Sequence, residues 1–185
     1  IDTLAEKLTQ KRAKALQILQ ERVEYYLGLL YLEKVTFTMQ PSTLGESGKD
    51  AVHVQLKTAD LKKISAGELN RLRLALLAAS SEFVQAKGGI LILDEIDANV
   101  SGKESMSIAT VLKQLSRNYQ IFAISHQPQL SSSADIHFLV HKEKEQSSVT
   151  RLDYEGRVKE LSRMISAEEI TDEALNFAKS LLEKE

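Results

Sequence analysis

Ile90-Leu91-Ile92-Leu93-Asp94-Glu95 is the stretch on which the fold turns. Four apolar residues follow Gly88-Gly89 and end abruptly in two carboxylates. So short an apolar run, bounded by glycines, predicts a strand buried on both faces, as in a parallel sheet. Ligand sites in open α/β sheets lie at the carboxyl ends of their strands. Asp94 at such an end can hold Mg2+ through its waters, since Mg2+ prefers few protein ligands plus phosphate oxygens. Glu95, one residue on, is placed to accept a proton from an attacking water. Taken alone, the same six residues also describe a strand followed by a solvated acidic turn.

Downstream, Ser101 to Leu115 carries a helical pattern, and Gln120-Ile-Phe-Ala-Ile124 repeats the buried-strand pattern, ending in Ser125-His126. A histidine at that strand end, beside the Asp94-Glu95 strand, can bond a γ-phosphate, although a lone histidine is more often a surface loop residue. Upstream, Leu69 to Phe83 is helical and is opened by Ser65-Ala66-Gly67-Glu68. Free backbone N–H groups at such a start make an anion site. The plainer alternative is a simple cap, with Ser65 and Glu68 as partners in a capping box. Strand, helix and strand in alternation argue a layered α/β domain.

The flanks complete the outline. Val35–Met39 and Val52–Leu56 alternate as strands, predicting a hairpin with a long tip over Pro41–Asp50. Two more strands are predicted near Ile136–Val140 and Ser148–Leu152, and helices near Val158–Ile165 and Asp172–Leu182, the last capped by Thr171. Residues 1 to 32 read as one long helix. Its apolar seam is Ile1, Leu4, Leu8, Ala15, Ile18, Tyr25, Leu29 and Leu32, with Lys11 and Arg22 as interruptions. That suits the end of a coiled coil entering a globular head, with Tyr25, Leu29 and Leu32 buried at the head end. An amphipathic helix packed on its own domain has the same pattern. His53, His137 and His141 lie on predicted strands without acidic or cysteine neighbours, so no metal site is read from them.

Order and spacing say more than any one motif. Ser-x-Gly-Glu opens a helix. About 26 residues on, an apolar strand ends in Asp-Glu, and about 31 residues later another ends in histidine. This order resembles the C-terminal lobe of ABC-type ATPase heads. Ser65-Ala66-Gly67-Glu68 matches the signature motif, Leu91–Glu95 the Walker B strand, Ile96–Gly102 the D-loop, and His126 the switch histidine. Among such heads the chain most resembles the RecN family, the SMC-like ATPases of bacterial double-strand-break repair. The resemblance runs from the arm helix through Asp94–Asp97, Ser101-Gly102 and Ser125–Gln129 to Thr171–Leu182. Ala66 and Asn99 stand where the family commonly has glycine, and asparagine tolerates the left-handed conformation.

The resemblance implies an architecture and a set of roles. Residues 1–32 are the end of a coiled-coil arm and 33–185 the C-terminal lobe of the head. The cofactors are ATP and Mg2+. Asp94 positions the metal, Glu95 orients or deprotonates the water, and His126 meets the γ-phosphate. Ser65, Ala66, Gly67 and Glu68 serve ATP bound to the opposite head, and Asp97 helps to join the halves. The partners are the N-terminal lobe of the same polypeptide, a second head in a homodimer, and DNA, in a cytoplasmic, nucleoid-associated protein. The alternatives are another ABC-type head, of an SMC protein or a transporter subunit, and a vestigial interaction module. Against a transporter stands the coiled-coil-like arm preceding the signature. Against a vestige stand the intact Asp94, Glu95 and His126.

No Gly-x-x-x-x-Gly-Lys-Ser/Thr loop is present, and Gly45-Glu-Ser-Gly-Lys49 is no substitute: its glycines are too close and Asp50 replaces the hydroxyl. In the family that loop lies in the N-terminal lobe, so the chain, which starts at Ile1, reads as a fragment unable to hydrolyse ATP alone. Composition fits this outline. The 185 residues suggest one domain with an appended arm, and 43% hydrophobic residues suffice for a core. A net charge of −2 gives no overall electrostatic footprint for nucleic acid. The lack of cysteine excludes disulfides and thiolate metal sites, and no apolar run approaches a membrane span.

Overall fold

The computed structural model describes residues 1–56, 59–60, 63–84, 88–143, 146–166 and 169–183. It separates into two compact units, Ile1–Gly89 and Ile90–Glu185.

The first unit holds helix α1 (Asp2–Leu29), strands β1 (Val35–Gly45), β2 (Gly48–Leu56) and β3 (Ala59–Asp60), and helix α2 (Ala66–Ser81). The strands form an antiparallel sheet in the order β1-β2-β3. The hairpin is longer than its alternating residues foretell. Pairing continues past Pro41↔Asp50 to Gly45↔Gly48, through a register shift that accommodates the proline on this edge strand. Side chains of α1 explain the extension. Thr9 Oγ1 donates to Asp50 at 2.8 Å, Arg12 reaches the same carboxylate at 3.6 Å, and Lys49 meets Glu6 at 3.5 Å. Gly48, at φ +93°, lies so close to Leu8 that a Cβ there would come within 3.0 Å of Leu8 Cδ2. The Gly45–Lys49 stretch is thus a tight hairpin turn seated on a helix, not a phosphate loop between strand and helix.

The arm expectation is amended accordingly. Helix α1 exists, but the hairpin accompanies it as far as Glu6. Its buried face is Val23, Tyr26, Leu27 and the following Leu30, in i, i+3, i+4, i+7 order. Tyr25, expected to be buried, is instead exposed, because that face is rotated one residue from the seam read in sequence. Arg22 stacks over the Tyr25 ring at 5.6 Å and donates to Glu82 at 2.6 Å. Tyr26 also donates to Glu82, at 2.7 Å, so α1 is fastened to the end of α2. Burial and that carboxylate push the Tyr26 hydroxyl up to about 12. Ile1, Leu4, Ala15 and Ile18 remain exposed.

The second unit runs β4 (Ile90–Asp94), α3 (Gly102–Leu115), β5 (Gln120–Ile124), α4 (Pro128–Ser132), β6 (Phe138–Glu143), β7 (Gln146–Arg151), α5 (Tyr154–Ser166) and α6 (Asp172–Leu182). Strands β4 and β5 are parallel, joined through α3, and β6 and β7 form an antiparallel hairpin. Thr171 caps α6, accepting from the Ala174 N–H at 3.2 Å. Val158, Leu161 and Ala178 hold α5 and α6 together.

One expectation fails here. Neither β4 nor β5 is buried: Ile92 is 73% exposed and Ile124 56%, with Ile90 and Phe122 also open. The register aligns Ile90, Ile92 and Asp94 with Gln120, Phe122 and Ile124, so these residues share one uncovered and largely apolar face. An apolar run shows that a strand needs cover, and not which part of a protein provides it.

Candidate functional site

The candidate residues fall in both units, and each group is built locally. In the second unit, β4 and β5 end side by side, with Asp94 paired to Ile124. The Glu95 N–H adds one last bond, to the Ile124 carbonyl at 3.1 Å. The chain then turns sharply, because Glu95 adopts φ +48°. A non-glycine residue in that region costs about 1 kcal/mol, and such strain gathers at functional sites. Asp94 and Glu95 are exposed at the strand end, and so is His126, two residues beyond Ile124. Carboxylates at the mouth of a parallel strand pair suit a hard divalent cation. Asn99 takes φ +59°, the left-handed conformation foreseen for it.

Asp97 is set apart from the exposed residues of this strand end. It is fully buried, and its Oδ2 accepts a short hydrogen bond from the Ser125 hydroxyl. Ser125 Oγ also accepts the Gln127 N–H at 2.9 Å. After this turn Pro128 opens α4, where its missing N–H costs no helical bond. The preceding helix, α3, begins with a capping box. Ser101 N–H donates to Glu104 at 2.8 Å and Glu104 N–H returns to Ser101 Oγ at 3.4 Å. The Gln129 side chain lies over Gly102, 2.9 Å from where a Cβ would stand.

In the first unit, Ser65 caps α2. Its N–H and hydroxyl both reach Glu68 Oε2, at 2.9 and 2.8 Å, and the Glu68 N–H returns to Ser65 Oγ at 3.2 Å. The plain capping reading is therefore realised, while Ser65 and Ala66 remain exposed at the helix N-terminus. Behind them Gly67 is buried. Its carbonyl accepts from Arg71 Nε at 3.3 Å, and Arg71 Nη1 reaches the Leu30 carbonyl at 2.9 Å. A buried guanidinium thus ties the first turn of α2 to the end of α1. The sequence reading missed Arg71, and it named Ser125 without its bond to Asp97. The signal for Arg71 was present: an arginine four residues after Gly67, on the apolar face of its helix.

No family model matches the chain. It is 34% identical over 195 residues to the DNA repair protein RecN of Helicobacter pylori, an alignment covering 98% of this chain and 37% of the relative. RecN of Rickettsia prowazekii is also 34% identical, over 97% of this chain and 34% of its own length. The chain therefore spans little more than a third of these curated relatives. Among solved structures, the Smc head domain with coiled coil and joint from Pyrococcus yayanosii matches at a TM-score of 0.67 and 20% identity. That match covers 85% of this chain and 30% of the other. A chain from work on the ATP-driven dimerization and DNA-stimulated activation of SMC ATPases matches at 0.60 and 19% identity, over 83% of this chain and 94% of its own. The structural matches show the fold of an SMC-type head, and in sequence the chain is similar, along nearly its whole length, to about a third of the length of the RecN DNA repair proteins.

Proposed function

We propose that this chain is the C-terminal lobe of an ATP-hydrolysing head in a DNA double-strand-break repair protein. The observation that carries the reading is Glu95: an exposed carboxylate, held left-handed at the carboxyl end of a parallel strand, beside a strand that ends in His126. The neighbouring Asp94 would hold Mg2+, which would supply charge neutralisation at the phosphates. Glu95 takes the proton of the attacking water, and His126 contacts the γ-phosphate. Ser65, Ala66, Gly67 and Glu68, opening α2, serve a nucleotide held by the opposite head through free N–H groups at the helix start.

The reading needs two partners. The uncovered face of Ile90, Ile92, Phe122 and Ile124 supports an N-terminal lobe of the same polypeptide that supplies the phosphate-binding loop and completes the sheet. The trans arrangement calls for a homodimer of heads closed by ATP, coupled to DNA in the full-length cytoplasmic protein. Exposed Ile1, Leu4 and Ile18 support residues 1–32 as the end of a coiled-coil arm whose partner helix covers them, with 33–185 as the lobe proper.

Glu95→Gln in the full-length protein tests this. It should keep Mg·ATP binding and slow phosphate release by roughly 10²-fold or more, the scale of losing a general base. Hydrolysis at the wild-type rate would return Glu95 to a solvated acidic turn.

A further inference from the structure

The ladder between β4 and β5 ends at the Glu95 N–H bond to Ile124. Beyond that bond, a side-chain hydrogen bond joins the exit segments of the two strands, from Ser125 Oγ to Asp97 Oδ2. It lies two residues after Glu95 on one side and one residue before His126 on the other. The Ser125 hydroxyl is used in both directions: it donates its proton to Asp97 and accepts the Gln127 N–H, so the His126 backbone is held inside a small hydrogen-bonded turn. The acceptor is fully buried, and its other oxygen, Oδ1, has no hydrogen-bond partner among the described residues. A hydroxyl–carboxyl bond shielded from water is both stronger and stiffer than an exposed one.

We infer that Ser125 and Asp97 form an internal latch that sets the spacing of Glu95 and His126, making Ser125 a positioning residue for hydrolysis. This rests on the proposed function of the site. It also gives Asp97 a task inside its own lobe in place of joining two heads. The latch touches neither nucleotide nor water. Its loss should therefore spoil the geometry of the chemical step and leave nucleotide affinity alone.

The test uses the full-length protein, with phosphate release, fluorescent-ATP binding and thermal melting as readouts. Ser125→Ala should lower kcat about tenfold or more, the scale of a misplaced catalytic group, with nucleotide Kd within about twofold. Ser125→Thr keeps the hydroxyl and should restore most of kcat. Ser125→Val has the shape of threonine without the hydroxyl and should stay slow, which isolates the bond from packing even where alanine disturbs folding. Adding Ser125→Ala to Glu95→Gln should cost little more than Glu95→Gln alone, because both act on one step. Wild-type kcat in Ser125→Ala, equal rates for the threonine and valine variants, or a fully additive double variant would each overturn the latch. If Glu95→Gln slows hydrolysis while Ser125→Ala does not, the latch alone falls. If Glu95→Gln hydrolyses at the wild-type rate, the reading of the whole site falls and the latch with it.

Discussion

Helices α2 and α3 begin with the same device, Ser65-x-x-Glu68 in one unit and Ser101-x-x-Glu104 in the other, and the two boxes match bond for bond. Both serines accept the N–H of the third helical residue, and both glutamates reach back to the cap. Their surroundings differ. At α3 the Gln129 side chain lies against Gly102, whereas at α2 the glycine carbonyl is held from behind by the buried Arg71. A capping box therefore says where a helix starts and nothing about what it binds. What sets the α2 start apart is the anchoring of its first turn to the end of α1, with Ser65 and Ala66 left open.

Four substitutions can break or sharpen this contrast. The largest effect is expected at the open box. Ser65→Arg should leave ATP binding to a single head intact and lower hydrolysis by roughly 10²-fold, through a bulky charge set where the proposed second head docks. A modest change in turnover would make the α2 box as structural as that of α3. Next comes the anchor. Arg71→Ala should lower unfolding stability by about 2 kcal/mol in a denaturant titration, since the Leu30 and Gly67 carbonyls lose a charged, buried donor. A cost near zero would mean that the first turn of α2 holds its place without Arg71. The smallest effect lies in what the boxes share. Ser65→Ala and Ser101→Ala should each cost about 1 kcal/mol. Clearly unequal costs would show that the cover over Gly102 contributes to the cap itself.

Features decided by short-range chemistry were legible in the sequence. The strands ending at Asp94 and Ile124, the helix between them, the Ser65–Glu68 capping box, the Thr171 cap and the left-handed turn that Asn99 tolerates all follow from residue type and local spacing. Features set by what lies across space were not. The β1–β2 ladder runs on because Glu6, Thr9 and Arg12 of α1 meet Lys49 and Asp50. Tyr25 faces outward because α1 buries a face one residue away from its apparent seam. The β4–β5 face is open although its residues are apolar, since an apolar pattern is blind to which segment supplies the cover. Asp97 was legible as part of a motif. That its carboxylate is spent on Ser125, inside the lobe, depends on two strand ends lying side by side.

The account's central claim is that one head gives Glu95 to a site and the other gives Ser65. Mixing two inactive full-length variants, Ser65→Arg and Glu95→Gln, tests it most directly. A hybrid dimer then holds one site with both residues intact and one with both lost. If half the dimers are hybrids, ATP hydrolysis should recover to about a quarter of the wild-type rate. A mixture that stays as inactive as the two variants apart, with hybrid dimers demonstrably formed, would contradict the account, because Ser65 and Glu95 would then serve the same head's nucleotide or none.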